Sequence, residues 1–325
     1  MISWILKEQP VIIVPFLDRA IVILAKSTLV GSYISLRLLI RLILGRERRD
    51  KLLMERRLNF NYQFEIIPSF LLFKVLDYAF EFLRLGNRLM IRIIVPKYNY
   101  KVYCPVNRDD LVSLSTREDE IIERFSPLQG SIVIDVGSHF GRYTIIASKR
   151  VGPNGKVVAI EADPRNFNIL KRNIKLNNLK NIITLNCAAY SEETKVKMYL
   201  RSEGLSEALY NTVMSNRFEP VKFFEVRANT LDHLIQSEGI HLEQINWIKI
   251  DVEGAELEVL KGAKSILSKS NNISLLIEVH LLSGNMTLYE PIRELLDTNN
   301  FKIDYEMVHE SGERHVIARK ENHIE

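Results

Sequence analysis

The stretch 132–144 constrains the fold of this chain more than any other part of the sequence. It opens as a short run of β-branched apolar residues, typical of a strand buried on both faces, and passes through two glycines into a helical pattern. Gly137 permits a sharp turn, and Gly141 lets the helix lie close to the strand or to a ligand. Asp135 places an acceptor-only carboxylate at the carboxyl end of the strand, where open α/β sheets bind ligands. The stretch therefore predicts a strand, a loop and a helix around a binding site.

Strand-like and helix-like patterns alternate through the rest of the chain. Strands are predicted at 156–161, 182–188, 247–251 and 274–280, and helices at 118–125, 164–177, 255–267 and 289–299. The runs 302–307 and 314–318 are expected to form a closing antiparallel pair. Such alternation indicates an α/β fold with a mostly parallel sheet and helices on both faces. The polar segment 202–220 interrupts it, and we expect either a substrate lid or a mobile surface excursion there.

The first third of the chain differs from the rest in charge. Residues 1–105 contain 17 Lys and Arg against 8 Asp and Glu, whereas the remainder contains 27 against 32. Within the apolar stretch 20–44, the charges of Lys26, Arg37 and Arg41 interrupt every run before it reaches the ~20 residues of a spanning helix. On a helix these cations and Arg19 form a narrow basic stripe opposite a broad apolar arc. The pattern favours equally a helix lying in a membrane interface and a helix packed on protein.

We divide the sequence into two predicted domains. Residues 1–105 form a helical extension that ends in a hairpin, and residues 106–325 form the α/β domain. The elements expected in the extension after its first helix are a second amphipathic helix at 68–86 and strands at 89–95 and 98–106. Residues 11–57 are expected to make peripheral contact with a membrane, or to pack on the protein's own body or on a partner subunit.

Cysteine usage limits the compartment and the class of protein. The chain contains only Cys104 and Cys187, which excludes a disulfide scaffold and a four-cysteine zinc site. No small-residue cleavage site follows the apolar region, so a cleaved signal peptide is not expected. These features favour a cytoplasmic protein, located at the cytoplasmic face of the membrane if the basic extension docks there.

The glycine loop indicates which ligand is expected. A dinucleotide fold requires Gly-x-Gly-x-x-Gly, whereas this chain has three residues between Gly137 and Gly141. Glu161 ends the next predicted strand, where its carboxylate can accept both hydroxyls of a ribose. Without a phosphate fingerprint, S-adenosylmethionine fits better than NAD, with Asp135 facing its cationic amino acid end. The alternative is that Glu161 merely caps the helix that begins at Pro164.

Several motifs together resemble the FkbM family of S-adenosylmethionine-dependent methyltransferases. The similarity runs in order through roughly 113–318. Its motifs are Asp135-Val136-Gly137 to Gly141, Glu161-Ala162-Asp163-Pro164, Thr230-Leu231-Asp232, the run from Ile248 to Glu256 and the run Val259-Leu260-Lys261-Gly262-Ala263.

The resemblance implies a fold, a cofactor and an activity. The fold is the class I methyltransferase Rossmann-like fold, a seven-stranded mostly parallel sheet whose last strand is antiparallel. The activity is usually O-methylation of a sugar or another hydroxylated metabolite. By position, the residues implied to hold S-adenosylmethionine are Asp135, Gly137, Ser138, Gly141, Glu161, Ala162, Asn186 and Ala188. His139 departs from the small or amide residues more usual in this loop.

Candidate catalytic residues follow the fourth and fifth predicted strands of the α/β domain. Adjacent parallel strands would bring Asp251 and His280 to the same edge of the sheet as the glycine loop. His280 is our first choice of general base, because an unperturbed pKa of about 6.5 suits deprotonation near neutrality. Asp251 could orient the acceptor or the base, and Glu253 or Glu278 could be the base instead. Asp251, Glu278 and His280 could also bind a divalent metal, although no motif requires one.

Three functions are compatible with these features. The leading hypothesis is an S-adenosylmethionine-dependent O-methyltransferase acting on a hydroxyl of a sugar, a glycan, a lipid-linked saccharide or a similar polyol. A second is a non-catalytic nucleoside-binding protein that docks on a membrane. An RNA methyltransferase is less favoured, because the body is acidic and the basic extension shows no evident platform for stacking bases. Nucleic acid is therefore not an expected partner.

Overall fold

A computed structural model describes residues 62–63, 90–105, 114, 118–203, 206–212, 222–282, 287–309 and 312–320. The proposed membrane-contacting region 11–57 and the predicted helix at 68–86 lie outside these residues. No helix in the described ranges combines the length and the apolar character that crossing a bilayer requires. The chain divides into two compact units, Met1–Ser115 and Thr116–Glu325, so the division falls after the predicted boundary at residue 105.

The described part of the first unit is a small sheet. Its strands are β1 (Tyr62–Gln63), β2 (Met90–Val95) and β3 (Tyr100–Pro105). The last two form an antiparallel ladder from the pair Met90 and Pro105 to the pair Val95 and Tyr100. A single 3-10 turn, Pro96–Tyr98, joins them, and Pro96 begins it because its fixed φ suits a turn. The hairpin predicted from the sequence is therefore present.

The second unit contains eleven strands among its described residues. In chain order they are β4 (Ile132–Val136), β5 (Lys156–Ile160), β6 (Ile182–Leu185), β7 (Ala188–Tyr190), β8 (Thr194–Glu203), β9 (Ser206–Thr212), β10 (Lys222–Thr230), β11 (Ile245–Ile250), β12 (Ser274–Val279), β13 (Phe301–Val308) and β14 (Arg314–Lys320). Seven of them form one sheet in the order β13-β14-β12-β11-β4-β5-β6. Only β14 runs antiparallel to its neighbours in that sheet. The predicted α/β fold with an antiparallel last strand is thus confirmed.

Helices lie between these strands. They are α1 (Asp119–Arg124), α2 (Arg142–Val151), α3 (Pro164–Leu176), α4 (Leu231–Ser237), α5 (Glu256–Lys261), α6 (Lys264–Lys269) and α7 (Tyr289–Thr298). The start of α3 follows directly from sequence, because the Asp163 carboxylate accepts a hydrogen bond of 2.7 Å from the Arg165 amide and Pro164 occupies the first helical position. The central strands are buried on both faces, and Ile134 and Ile248 are fully buried between the helical layers.

The predicted strand at 182–188 is wrong in its second half. β6 ends at Leu185, and the chain then leaves the large sheet. Ala188 begins β7, which pairs in parallel with β10 through Ala228. The side chain of Asn186 lies at the crossing and donates to the backbone oxygens of Glu161 and Ala162. Asn186 was the one signal in the sequence that the run is interrupted, because asparagine favours turns.

The predicted helix at 255–267 is two helices, α5 and α6. At Gly262 a Cβ would lie 1.9 Å from the Tyr190 carbonyl oxygen, so the chain approaches β7 closely at this point. Asp232 then starts α6, because its carboxylate accepts hydrogen bonds from the amides of Ser265 (2.7 Å) and Ile266 (2.9 Å). A partner more than thirty residues away in sequence therefore breaks the helical pattern and restarts it.

The predicted loop at 202–220 contains a strand. β9 pairs antiparallel with β8, and the four strands β7-β10-β8-β9 form a second, smaller sheet. Backbone hydrogen bonds between β8 and β9 pair the polar residues of Ser206–Thr212. Residues 213–221, where the predicted lid would continue, lie outside the described part of the chain.

Candidate active site

The glycine loop joins the carboxyl end of β4 to α2. The amides of Gly137 and Ser138 both donate to the Ile160 oxygen at 3.0 Å, which fastens the loop to the end of β5. The Ser138 hydroxyl also donates a hydrogen bond of 2.8 Å to the backbone carbonyl oxygen of Asp135. Gly137 has a φ of +78°, and a Cβ there would lie 1.8 Å from the Asp251 carbonyl oxygen. Glycine at this position therefore lets the loop lie against the end of β11.

Glu161 lies at the end of β5, as predicted, and its carboxylate organises the backbone around it. Its two oxygens accept hydrogen bonds from the amides of His139 (2.7 Å) and Asp163 (2.8 Å). The helix cap is Asp163, so Glu161 does not merely cap α3. Each carboxylate oxygen has a second lone pair, so Glu161 can still accept hydrogen bonds from a ligand. Burial raises the pKa of Glu161 to about 7.

Asp135 is almost completely buried beneath the loop. Its Oδ2 accepts a hydrogen bond of 2.5 Å from the Thr144 hydroxyl, and its Oδ1 makes no hydrogen bond among the described residues. Burial raises the pKa of Asp135, partly offset by the ammonium group of Lys249. This ammonium lies 3.7 Å from Oδ1. The predicted contact of Asp135 with a cofactor stays a prediction.

Lys249 connects the two halves of the site, and sequence reasoning missed it. Its Nζ lies 2.9 Å from Asp251 Oδ2 and 3.4 Å from the Gly137 carbonyl oxygen. Burial by itself would lower the Lys249 pKa, but the carboxylates of Asp251 and Asp135 outweigh burial and raise it. A lysine in the middle of the apolar run Ile248 to Ile250 was the available signal, because a buried cation requires an anionic partner.

The predicted catalytic residues come together at the same edge of the sheet. β11 and β12 are parallel neighbours, with Ile250 paired to Ile277, so the segments that follow them lie side by side. His280 Nε2 lies 3.7 Å from an oxygen of each of three carboxylates, those of Asp251, Glu253 and Glu278. The structure therefore assembles all four predicted residues into one cluster.

Glu256 is a fifth member of this cluster that the sequence did not reveal. It is fully buried at the start of α5, and its Oε1 lies 2.7 Å from His280 Nδ1. Burial by itself would lower the His280 pKa, but the carboxylates of Glu253, Glu256 and Glu278 outweigh burial and raise it well above 6.5. At neutral pH such an imidazole carries a proton on both nitrogens. It can therefore act as a base only after losing one of these protons.

Glu278 extends the cluster toward the antiparallel strand. Its Oε2 lies 3.3 Å from Nε2 of His315, which faces it across the β12 and β14 ladder. His315 Nδ1 in turn lies 2.8 Å from Nε2 of His309. Burial would raise the Glu278 pKa, but the neighbouring His315 and His280 outweigh it and lower the pKa. Glu278 is thus an ionised carboxylate held between two imidazoles.

The remaining residues predicted to bind the cofactor lie in different parts of the domain. Gly141 precedes α2 with a φ of +101°, in a conformation that favours glycine. Asn186 is exposed, and its two hydrogen bonds hold the backbone of Glu161 and Ala162 in place. Ala188 is buried in the small apolar cluster of the second sheet, against which Ala162 packs. The structure thus gives Asn186 and Ala188 supporting positions, and their contact with a cofactor stays a prediction.

The strand order, the glycine loop after β4 and the acid at the end of β5 define the class I methyltransferase fold. The chain belongs to the FkbM family, since the domain described as "Methyltransferase FkbM domain" matches residues 135–303.

Comparisons with individual proteins agree with this family. "Methyltransferase 1" of Beauveria bassiana is 28% identical over 146 residues, covering 41% of this chain and 58% of that protein. "Methyltransferase sdnD" of Sordaria araneosa is 29% identical over 162 residues, covering 40% and 59%. The matches thus span less than two thirds of these relatives' own length. A solved SAM-dependent methyltransferase of Aquifex aeolicus has a TM-score of 0.38 and 16% identity, over 62% of this chain and 89% of that one.

Proposed function

We propose that this protein is an S-adenosylmethionine-dependent methyltransferase that transfers the methyl group to a hydroxyl. The acceptor belongs to a sugar, a glycan, a lipid-linked saccharide or a similar polyol. The observation that supports this most is the position of Lys249, which contacts the backbone of the glycine loop and the Asp251 carboxylate together. A donor held by the loop would therefore lie next to the cluster around His280.

The loop residues fit the donor. Glu161 is fixed by two backbone amides and keeps lone pairs for the two ribose hydroxyls. Asp135 Oδ1 is a buried acceptor without a hydrogen bond among the described residues. The carboxylates of Asp135, Asp251 and Glu253 make this edge of the sheet suitable for a ligand with a positive sulfonium and a positive ammonium group. S-adenosylmethionine, when bound, supplies the activated methyl group.

The residues of the cluster handle the acceptor. Methyl transfer is an in-line displacement in which the hydroxyl oxygen bonds to the methyl carbon while the carbon–sulfur bond breaks and sulfur keeps the electron pair. The hydroxyl proton must pass to the protein. Because the neighbouring carboxylates raise the pKa of His280, its imidazole takes this proton only above that pKa, and Glu253 or Glu278 takes it at lower pH. Asp251, anchored by Lys249, is placed to orient the acceptor.

The test is binding followed by turnover, with the full-length protein. Calorimetry with S-adenosylmethionine should show one site per chain. S-adenosylhomocysteine should then form when free sugars, sugar nucleotides or lipid-linked saccharides are added, and not in their absence. Methylation of amines or nucleobases alone would refute the O-directed assignment. Binding without turnover on any acceptor would instead favour a non-catalytic nucleoside-binding protein.

Glu161 gives the proposed cofactor site a defined pH dependence. Its pKa of about 7 means that it is protonated below this value, and a protonated carboxyl cannot accept from both ribose hydroxyls as well as from two amides. S-adenosylmethionine should therefore bind about ten-fold more weakly at pH 6 than at pH 8. Calorimetry at both pH values measures this. The Glu161→Gln variant should bind weakly at both, and an equal pH dependence in that variant would contradict the assignment.

We further propose that residues 11–57 dock the protein on the cytoplasmic face of a membrane. The support is the sequence alone, in which Lys26, Arg37 and Arg41 share one side of a helical pattern whose other side is apolar. The full-length protein should cosediment with phosphatidylglycerol vesicles more strongly than with phosphatidylcholine vesicles. Replacing the three cations with glutamine should remove the difference. Equal sedimentation of wild type and variant would refute membrane docking through this stripe.

A further inference from the structure

The carboxylates around His280 share an unusual arrangement of their oxygens. Asp251 Oδ2 is held by Lys249 at 2.9 Å, whereas its Oδ1 faces His280 Nε2 at 3.7 Å. Glu278 repeats the pattern, because its Oε2 lies 3.3 Å from His315 and its Oε1 faces the same Nε2 at 3.7 Å. Each carboxylate thus has one oxygen held by a cationic side chain, and its other oxygen faces Nε2 of His280.

Glu253 is the third carboxylate that faces Nε2 of His280, and its backbone conformation is strained. Its Oε1 also lies 3.7 Å from His280 Nε2. Glu253 has a φ of +56°, a left-handed conformation that is unfavourable for a residue with a side chain and is typically retained at functional sites. Gly254 follows with a φ of +104°. The chain therefore turns sharply after β11 in a way that keeps this third carboxylate next to the other two.

His280 is oriented toward the same point from behind. Its side chain is 4% exposed, and its Nδ1 lies 2.7 Å from the fully buried carboxylate of Glu256. Glu256 also accepts the Gly254 amide at 2.9 Å, so it cannot easily move away. Metal-binding histidines commonly donate their other ring N–H to a carboxylate in this way, which fixes the tautomer with a lone pair on the ligating nitrogen.

The distances around Nε2 leave room for a cation between the imidazole and the three carboxylates that face it. Nε2 makes no hydrogen bond among the described residues, because 3.7 Å exceeds the usual ~2.7–3.2 Å of an N–H to oxygen hydrogen bond. An ion bonded at about 2.0–2.2 Å to several ligand atoms holds neighbouring ligands roughly 3–4 Å apart. Within the described ranges, ligand atoms of Asp251, Glu253 and His280 lie within 4.8 Å of one another.

The charges also leave room for a divalent cation. Four carboxylates, those of Asp251, Glu253, Glu256 and Glu278, surround the imidazole of His280. The cationic side chains that contact these carboxylates from outside the cluster are Lys249 and His315. Once His280 binds an ion through its neutral imidazole, two cations face four anions, and a doubly charged ion would remove this difference.

We propose that Asp251, Glu253 and His280 bind one divalent metal ion, with Glu278 beside it and Glu256 holding the imidazole in position. A ligand set of carboxylates with a single imidazole suits Mn²⁺ or Mg²⁺ better than ions that prefer sulfur. The catalytic meaning of the site rests on the proposed methyl transfer. A bound ion would coordinate the acceptor hydroxyl and lower its pKa, and the proton would pass to Glu278, since Nε2 is then a ligand.

Direct binding of Mn²⁺ tests the site without reference to activity. The full-length protein, treated with EDTA and desalted, is titrated with Mn²⁺ while the electron paramagnetic resonance signal of the free ion is recorded. One ion should bind per chain, and Glu253→Gln and His280→Gln should each weaken binding at least ten-fold. Glu256→Gln should weaken it by about 10–100-fold through the orientation of His280. The absence of stoichiometric Mn²⁺ binding by the wild type would overturn the proposal.

The chain supplies a matched control. His241 Nδ1 and Glu243 Oε1 lie 3.8 Å apart, almost the spacing found in the cluster, but both side chains are exposed. Glu243→Gln should leave Mn²⁺ binding unchanged, and a loss equal to that of Glu253→Gln would overturn the proposal. If the cluster variants fail to fold, electron spin echo modulation of Mn²⁺ bound to the wild type should show one imidazole nitrogen. Its absence would equally overturn the assignment.

Two further measurements separate this proposal from the proposed function. Failure to bind S-adenosylmethionine in calorimetry would refute the methyltransferase assignment and leave the Mn²⁺ result standing. Methyl transfer that continues at the same rate in EDTA would overturn the catalytic role of the ion while the methyltransferase assignment stands. A rate that falls at least ten-fold in EDTA and returns with Mn²⁺ or Mg²⁺ is the expected result.

Discussion

Replacing Gly137 with alanine is expected to lower the free energy of unfolding by about 2–5 kcal/mol and to abolish binding of S-adenosylmethionine. The left-handed backbone at φ +78° costs a residue with a Cβ about 1–2 kcal/mol. The new Cβ would also lie 1.8 Å from the Asp251 carbonyl oxygen, a backbone atom that cannot rotate away, and overpacking typically adds about 1–3 kcal/mol. Chemical denaturation measures the first effect, and calorimetry measures the second.

Gly239 provides the control for this variant. It has a similar φ of +69°, but a Cβ there would meet nothing within 4 Å. Gly239→Ala should therefore lose only the ~1–2 kcal/mol that the left-handed backbone costs, and it should bind S-adenosylmethionine like the wild type. Equal losses of stability in the two variants would show that the contact between the loop and the end of β11 is not what Gly137 is required for.

Replacing Lys249 with methionine is expected to destabilise the protein by about 3–5 kcal/mol, because it leaves two carboxylates without their buried cation. Methionine keeps most of the length and the packing of the side chain, so the charge is the main change. The ammonium lies 2.9 Å from Asp251 and 3.7 Å from Asp135, and it is almost entirely buried. Denaturant unfolding near neutral pH measures the loss.

A surface lysine and a second substitution control for this result. Lys261 forms an ion pair with Glu258 at 2.6 Å, but its side chain is 45% exposed, so Lys261→Met should cost less than ~1 kcal/mol. Adding Asp251→Asn to Lys249→Met removes one of the unpaired anions and should recover part of the stability. If the double variant is less stable than Lys249→Met by the full cost of Asp251→Asn alone, the two side chains are not coupled.

The residues of the family motifs have two kinds of role: some contribute to the candidate active site, and others stabilise the fold. Asp251 and Glu253 of the run from Ile248 to Glu256 contribute to the candidate active site. Asp232 and Gly262 instead serve the fold, because Asp232 starts α6 and Gly262 lets the end of α5 approach the backbone of Tyr190. Sequence similarity by itself could not separate these roles, since both kinds of residue lie in motifs with the same appearance.

Local patterns were sufficient for the glycine loop and for the positions of most elements. The apolar run and two glycines in 132–144 predicted a strand, a loop and a helix, and the structure has β4, the loop and α2 there. The rule that ligands bind at the carboxyl ends of parallel strands predicted that Asp251 and His280 would meet. Both inferences depend on short stretches of chain, in which periodicity and backbone freedom dominate.

Contacts between distant segments could not be predicted in this way. Lys249 looked like an interruption of an apolar strand, and its role follows from the placement of β11 next to β4, which brings it beside Asp135. His315 faces Glu278 only because β14 pairs with β12. Glu256 lies in a run of acidic residues where nothing marks it as buried. Each of these pairings depends on strand order or helix packing.

The sequence alone therefore determined the class of fold, the loop of 132–144 and the edge of the sheet at which a ligand would bind. The tertiary structure decided what that loop touches. Gly137 lies directly against the backbone of Asp251. Lys249 contacts both the loop and Asp251 of the cluster around His280. The reason is physical, because backbone conformation is set largely by neighbours in the chain, whereas the burial and pairing of charges depend on residues that only the folded sheet brings together.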